Sequence, residues 1–419
     1  MRLRIEREAL ADAVTWVARA LPTRPVIPIL AGMLLDADEG RLTLSCFDYE
    51  VSARMSAEAA VAEPGRALVS GRLLAEIARS FPARPVDLAS EGDAITLSCG
   101  SARFTLLALP VADFPSLPRL PPQAGIVDGG EFATAVGQVA VAAGRDDTLP
   151  MLTGVLVEID GATMTLVATD RYRMGVRELG WRPARAEIAA SALVPARTLA
   201  EAAKAMTTGT DVVISLAVAD QAGPASGPEA GGEGGGRKDD AGDGGIDAAD
   251  GLIGLDGGGR RMTTRLLGTE FVTYKSRFPR EFGYRAHLTA GPFCEAIRRV
   301  ALVADRDSRL LLTFGSEQVV IETGSADGSR AVETIDAEFE GEEGFAIAFK
   351  PQYLLDGIGA AAATPARPTA AQGNDGAADE RLAPAERQDG VTLQFTSPDK
   401  PAVITGSPGY RYLLAPMRT

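Results

Sequence analysis

The 419-residue sequence predicts an α+β protein made of three tandem copies of one domain, each built from two halves in which a strand, a helix and further strands follow one another. Three observations predict it. A short strand followed by an amphipathic helix and a hairpin of strands occurs three times, a second strand-plus-helix unit follows each occurrence, and the length exceeds what one core of about 150 residues holds. The first unit reads RLRIEREALADAVTWVARAL with PILAGMLLDADEGRLTLSCFDYEVSARM, then GGEFATAVGQVAVAAG with MLTGVLVEIDGATMTLVATDRYRMGVREL. A weaker third copy is AGPFCEAIRRVALVAD with SRLLLTFGSEQVVIETG. Leu10, Val14, Val17 and Leu21, then Phe132, Val136, Val139 and Ala143, then Phe293, Ile297, Val300 and Ala301 recur at three- and four-residue spacing, so each helix has one face to bury.

The second unit is ALVSGRLLAEIARSF, ALVPARTLAEAAKAM and AIAFKPQYLLDGIGA, a strand running into a helix. Alternating strands follow in each case: AITLSCGSARFTLLALP, then DVVISLA with RMTTRLLGTEFVTYKS, then GVTLQFTSPDKPAVITG with YRYLLAPMRT. The first two copies close on DFPSLP and RFPREF. The domains are expected at 1–121, 126–288 and 289–419. Two stretches stand apart, about 220–259, rich in Gly, Asp and Ala, and 361–389, rich in Ala, Pro and charge. Both lack the apolar content that offsets the entropy of ordering, and both are expected to be disordered insertions.

Composition narrows the function. Hydrophobic residues make up 46%, yet no apolar run approaches the roughly 18–20 uncharged residues of a membrane span, and the start MRLRIEREAL is charged, so a cytoplasmic protein is expected. Cys46, Cys99 and Cys294 fit neither a disulfide framework nor the paired spacing of a zinc site and are expected to be reduced, buried thiols. The single histidine, His287, leaves no partner for a histidine-rich metal site, and Ser-His chemistry would rest on it alone; an ordinary surface histidine is the simpler reading. No GxxxxGK[ST] loop occurs, and the glycines of 231–236 lie in low-complexity sequence. Neither a cofactor nor a metal is expected. The formal charge of −14 argues against nucleic acid until it is located: residues 220–250 hold eight acids against Arg237 and Lys238 and supply six of those charges.

RPVIPILAGMLL at 24–35, LPVADFPSLP at 109–118, DDTLPMLTGV at 146–155, TLVATDRYRM at 165–174, RFP at 277–279 and the terminal LLAPMRT together resemble the bacterial DNA sliding clamps, the β subunits of DNA polymerase III. They do so in order and over the whole chain outside the two insertions. The resemblance implies clamp-type domains that close as a head-to-tail homodimer into a six-domain ring, helices inside and sheets outside. It implies a protein without catalysis of its own that encircles duplex DNA independently of sequence, gives processivity to the replicative polymerase, and meets the clamp loader and other proteins bearing a clamp-binding motif. Joining edges are implied at Phe104 and Leu106 and at Leu302 and Val303; the alternative is that these are internal core residues.

Arg19, Arg72, Arg79, Arg197, Lys204, Arg298 and Arg299 fall in or beside the helices and are expected to face phosphate, and Arg24 matches a family position that touches DNA. Contacts to phosphate carry no base information, which suits a protein that slides. The resemblance also implies a hydrophobic pocket for linear peptides between the second and third domains. One part is Leu152, Thr169, Arg171, Tyr172, Arg173, Met174, Pro279, Leu413 and Ala415; the other is Tyr353, Pro401, Pro416, Met417 and Arg418. REFGYR after Pro279 is one residue longer than the usual turn, Ser308 stands where some clamps place an aromatic, and Ala415 is smaller than the common Met. A second clamp copy with altered partner choice or inhibitor resistance, and an enzyme on a repeated α+β scaffold, are the alternatives.

Overall fold

The computed structural model describes residues 1–207, 211–217, 251–364 and 390–418. Most of the two expected insertions therefore lies outside the described residues. The chain forms two compact units, one of Met1–Val127, Pro183–Ile188 and Thr210–Leu266, the other of Asp128–Arg182, Ala189–Gly209 and Leu267–Thr419.

Seven α-helices are present among the described residues: α1 Arg7–Val17, α2 Gly71–Ser80, α3 Gly129–Ala140, the single turn α4 Pro150–Thr153, α5 Ala196–Ala205, α6 Ala290–Val300 and α7 Pro351–Ala362. The apolar periodicity becomes the buried face of each long helix. α1 buries Leu10, Val14 and Val17, α3 buries Phe132, Val136 and Val139, and α6 buries Phe293, Ile297 and Val300. The Asp128 carboxylate accepts from the Glu131 N–H at 2.8 Å and caps α3, while Pro351 opens α7 where a missing N–H costs nothing.

Each repeat contains two small sheets, and the register shows the threefold repetition. In the first sheet a hairpin pairs Gly32–Asp38 with Arg41–Phe47, Gly154–Asp160 with Thr163–Thr169, and Leu310–Phe314 with Gln318–Gly324. A third strand follows, Val51–Glu58, Arg173–Gly180 or Arg330–Asp336. The strand that feeds the second helix, Gly65–Ser70, Ala189–Pro195 or Phe345–Phe349, closes the other side. The second sheet takes the opening strand of the repeat, Arg2–Ile5, Gln123–Asp128 or Tyr284–Thr289, and ends on Ala102–Leu107, Arg260–Arg265 or Tyr410–Leu414.

Successive repeats are joined by strand pairing. Val51–Glu58 of the first repeat pairs antiparallel with Arg260–Arg265 of the second, and Arg173–Gly180 of the second pairs with Tyr410–Leu414 of the third, giving two nine-stranded sheets. Ala102–Leu107 and Arg330–Asp336 are the same two kinds of strand without that partner, each at the edge of its sheet.

The first insertion is shorter than expected. Residues 252–257 form a strand, Leu252–Gly257, that buries Leu252, Ile253 and Leu255 and pairs with Asp211–Leu216 and Arg260–Arg265. Glycine-rich composition hid it. Gly258 and Gly259 have φ of 60° and 75°, the left-handed pair that a two-residue hairpin needs, so these glycines are a turn signal and not low complexity. The strand expected to continue through LLGTEFVTYKS instead ends at Arg265.

Glycine has a second use in α7. A Cβ on Gly357 would lie 2.5 Å from Cε1 of Tyr412, whose fully buried ring donates its hydroxyl to the Tyr353 carbonyl at 3.0 Å. Gly357→Ala is therefore expected to destabilise the protein by about 1–3 kcal/mol through overpacking, although alanine is the better helix former. A thermal unfolding midpoint equal to or above that of the parent chain would contradict this.

Candidate functional site

The turn joining Thr163–Thr169 to Arg173–Gly180 is held by its own side chains. The Asp170 carboxylate accepts from the N–H groups of Tyr172 and Arg173 at 3.0 and 3.1 Å, and the Thr169 hydroxyl donates to the Arg173 carbonyl at 2.7 Å. Arg171 sits in the left-handed region at φ 81°; Tyr49, its counterpart in the first repeat, has φ 74° and the same Asp-capped turn through Asp48. This geometry lifts Tyr172 out, 60% exposed, and turns Arg173 in, 8% exposed.

Arg173 is fixed on every side. Its Nε donates to Asp170 at 2.9 Å, its Nη1 donates to Asp356 on α7 at 2.5 Å, and its guanidinium lies 4.2 Å from the centroid of the Tyr353 ring. Burial alone would lower the Arg173 pKa; Tyr412, Asp356 and Asp170 outweigh it and hold the pKa above its ordinary value. Asp356 follows Gln352 by four residues and Tyr353 by three, so one face of α7 presents all three to the second repeat's turn.

A cleft of about 910 Å³ opens here, lined by Leu149 and Leu152 on one side, Arg171, Tyr172 and Arg173 on another, and Lys350, Gln352, Tyr353 and Asp356 from the start of α7. In the same unit an apolar cluster of Leu156, Val167, Met174, Val176, Leu193 and Tyr274 forms on the nine-stranded sheet, with Met151, Leu267, Phe271, Val272, Phe278 and Leu413 packed against it. The irregular segment after Arg265 supplies Leu267 to Phe278. It is tied down by the Leu267 N–H bonded to the Leu193 carbonyl at 2.8 Å and by the Tyr274 hydroxyl donating to Glu158 at 2.5 Å. Burial and Glu158 push the Tyr274 hydroxyl well above its usual pKa, so it remains a donor.

Of the expected pocket residues, Leu152, Arg171, Tyr172, Arg173 and Tyr353 line the cleft, Met174 and Leu413 enter the apolar cluster facing each other across paired strands, and Thr169 holds the turn. The Ala415 N–H bonds the Tyr172 carbonyl at 2.8 Å; Pro401 stands beside Ala415, because Ala402 pairs with Leu414. Met417 bridges to Ala348, and the Arg418 carbonyl accepts from Arg309 at 2.8 Å, with half-buried Pro416 between the two anchored stretches. Pro279, also half-buried, follows the turn Lys275–Arg277. Sequence reasoning missed Asp170, Asp356, Lys350 and Arg306 in the cleft and Met151, Phe271, Val272 and Phe278 beside the cluster. The i, i+3 spacing from Tyr353 was the available signal for Asp356, and the apolar residues of EFVTYKSRF were the signal for Phe271, Val272 and Phe278.

At the expected joining edges, Phe104 is 37% and Leu302 83% exposed, and Val303 is half-buried. Leu106 is a correction. Strand alternation turns it into its own domain at 5% exposure, and Leu107, at 81%, is the side chain that edge offers. Arg19, Arg24, Arg72, Arg79, Arg197, Lys204, Arg298 and Arg299 are all exposed. Arg72 holds the carbonyls of Pro22 and Thr23 at 2.8 and 3.0 Å, and Arg197 pairs with Glu201 at 3.2 Å. Arg299 is committed to Glu333 and Glu295, which lie 2.5 and 3.6 Å away. Cys46, Cys99 and Cys294 are buried and unpaired, and half-buried His287 lies 3.0 Å from the Thr392 hydroxyl. Among the described residues no helix is long and apolar enough to cross a membrane, and no group of three or more His, Cys, Asp or Glu could hold a metal.

Three repeated two-sheet domains joined edge to edge, with a cleft at one joint, define a clamp-type protein. Residues 1–118, 126–272 and 275–368 match the N-terminal, central and C-terminal domains of the DNA polymerase III beta subunit. The beta sliding clamp of Streptomyces coelicolor is 46% identical over 426 residues, covering 100% of this chain and 99% of the relative. That of Micrococcus luteus is 42% identical over 340 residues, covering 81% and 100%. The DNA polymerase III subunit beta of Pseudomonas aeruginosa shares the fold, with a TM-score of 0.79 at 22% identity over 100% of both chains; a griselimycin-bound structure from the same organism gives 0.80. The chain belongs to the DNA polymerase III beta subunit family, the bacterial sliding clamps. Its function is that of a sliding clamp of DNA polymerase III.

Removing the Asp356 carboxylate leaves the buried Arg173 guanidinium with one acid in place of two. Asp356→Ala is expected to cost about 2 kcal/mol in urea unfolding, and its effect should be at least halved in an Arg173→Ala background. Additive losses would mean that the two side chains do not support each other.

Proposed function

We propose that two copies of this chain close head to tail into a six-domain ring around duplex DNA, and that the cleft at the second joint docks linear peptides of the replicative polymerase, the clamp loader and other partners. On this reading the domains are 1–121, 126–288 and 289–419. The clamp acts as a tether without chemistry of its own, in the cytoplasm where its polymerase works.

One observation carries the ring. Inside the chain the same pair of strand types joins repeat one to two and two to three, and the remaining pair, Arg330–Asp336 and Ala102–Leu107, is left over. A second copy supplies what each lacks, and two such joints close the assembly with neither of these strands left unpaired. Val332 at 62%, Leu107 at 81% and Leu302 at 83% exposure are apolar surface that such a joint would cover. Arg19, Arg24, Arg72, Arg79, Arg197, Lys204 and Arg298 supply cations for phosphate, with Arg299 only by exchange from its carboxylates. The apolar cluster with Met174 and Leu413, and the adjoining cleft with Tyr172 and Tyr353, suit a peptide with buried aliphatic or aromatic anchors.

The repeat also supplies a register. Ser52 faces Thr263 at the first joint with hydroxyls 2.6 Å apart. Counted from the hairpin turns, the same positions are Arg330, which pairs with Gly324 as Ser52 pairs with Phe47, and Thr105, three residues beyond Ala102 as Thr263 is beyond Arg260. A chain carrying Thr105→Cys and Arg330→Cys should therefore oxidise to a disulfide-closed dimer, since opposed strand residues stand within bridging distance. Oxidised around a circular plasmid, that dimer should stay bound in high salt and leave only when the DNA is cut. Monomer alone on a non-reducing gel would reject the joint, and release without cutting would reject encirclement.

A further inference from the structure

We infer that the peptide received by the second-joint cleft is acidic, with one or two carboxylates flanking its apolar anchor; this rests on the docking reading above and adds the charge of the ligand. The cleft is lined by five cations, Arg145, Arg171, Arg173, Arg306 and Lys350, and three carboxylates, Asp146, Asp170 and Asp356. The carboxylates are all engaged. Asp146 accepts from the hydroxyl and N–H of Thr148 at 2.7 and 3.0 Å, which lowers its pKa, Asp170 accepts from its own turn and Arg173, and Asp356 accepts from Arg173 and from Gln352 at 2.7 Å.

Among the cations only Arg173 is in a salt bridge. Arg145 and Arg306 are exposed with no carboxylate in salt-bridge distance among the described residues, Arg171 is exposed and interacts with Asp146 only at longer range, and Lys350 has the Tyr353 ring, 5.0 Å from its Nζ. In a chain of net charge −14, four cations outside any salt bridge around one cleft are a local reversal of sign. Such a field attracts an anionic ligand and speeds its arrival. Its size selects the class. Five cations against three carboxylates leave two positive charges, enough for one or two acidic side chains and too few for a run of phosphates. The apolar floor of Leu149 and Leu152 suits a peptide for the same reason. Arg173, which sequence reasoning offered as a ligand-holding guanidinium, is locked by its two aspartates. That role falls to Arg145, Arg171, Arg306 and Lys350.

The test uses the full chain and two fluorescein-labelled nonapeptides with one Leu-Leu-Phe anchor, flanked by two Glu in one and two Gln in the other, read by anisotropy. The Glu peptide is expected to bind about tenfold tighter at low salt, and the gap should shrink to under about threefold at 1 M salt. Arg171→Ala with Arg306→Ala should reduce the low-salt gap between the two peptides to about threefold. Equal affinities for the two peptides would overturn the acidic preference and leave docking intact. Binding of neither would remove the docking reading itself. Displacement of the Glu peptide by dodecathymidylate at equal concentration would overturn the inference in favour of single-stranded nucleic acid.

Discussion

Antiparallel pairing between the third strand of one repeat's first sheet and the last strand of the next repeat is the constraint on which the rest of this structure depends. It turns small sheets, whose edges would otherwise present unpaired N–H and C=O groups, into two nine-stranded sheets. It also explains why the compact units do not follow the repeats: the second repeat contributes its first sheet to one unit and its second sheet to the other. The cleft is a consequence. Pairing Arg173–Gly180 with Tyr410–Leu414 brings the chain's last strand beside the Asp170-capped turn, and the Ala415 N–H then bonds the Tyr172 carbonyl. Leu413 can meet Met174 only because that register is kept.

Three repeats could in principle build the same apolar surface three times, and side-chain chemistry decides where it forms. The second repeat places Leu156, Val167, Met174 and Val176 on one face of its first sheet. The equivalent residues of the first repeat are Leu34, Ser45, Ser52 and Arg54, with Ser52 bonded to Thr263 across the joint. In the third they are Leu311, Glu322, Arg330 and Val332, on the edge side of the four-stranded sheet. A hydroxyl pair seals a joint at low cost because each group satisfies the other, but it offers no apolar surface to a ligand. The first joint is thus a polar seam and the second carries an apolar surface, although the backbone repeats.

Much of this was legible in the sequence. The helices announced themselves through three- and four-residue apolar spacing, the TDRYR motif pointed to one wall of the cleft, and LLAPMRT pointed to the strand that runs beside it. What escaped had physical reasons. Leu252–Gly257 was hidden because its hairpin glycines look like composition bias, and Leu106 was misplaced because a motif match names a strand without saying which face of it points inward. Asp356 was missed because its i, i+3 spacing from Tyr353 gains meaning only once Arg173, the residue it meets 183 positions away, is known to be buried. Irregular segments have no period to read, which is why Phe271, Val272 and Phe278 were assigned to strand or left out.

The same comparison of repeats shows how α7 came to differ from its counterparts. At the second, sixth and ninth positions α2 carries Arg72, Glu76 and Arg79, and α5 carries Arg197, Glu201 and Lys204. In α7 those positions hold Gln352, Asp356 and Gly359. The acid in the middle is kept, but it no longer faces a cation on its own helix: it has been redirected to Arg173, and Gln352 donates to it at 2.7 Å. An arginine at 352 or 359 would compete for Asp356 and loosen the buried pair that anchors the cleft wall. The third repeat's second helix therefore cannot serve the cleft and also carry the cations that its two counterparts present. On the encirclement proposed above, the helical cations left to meet phosphate are those of α2 and α5 and Arg298 on α6, where the neighbouring Arg299 is already engaged by Glu295 and Glu333.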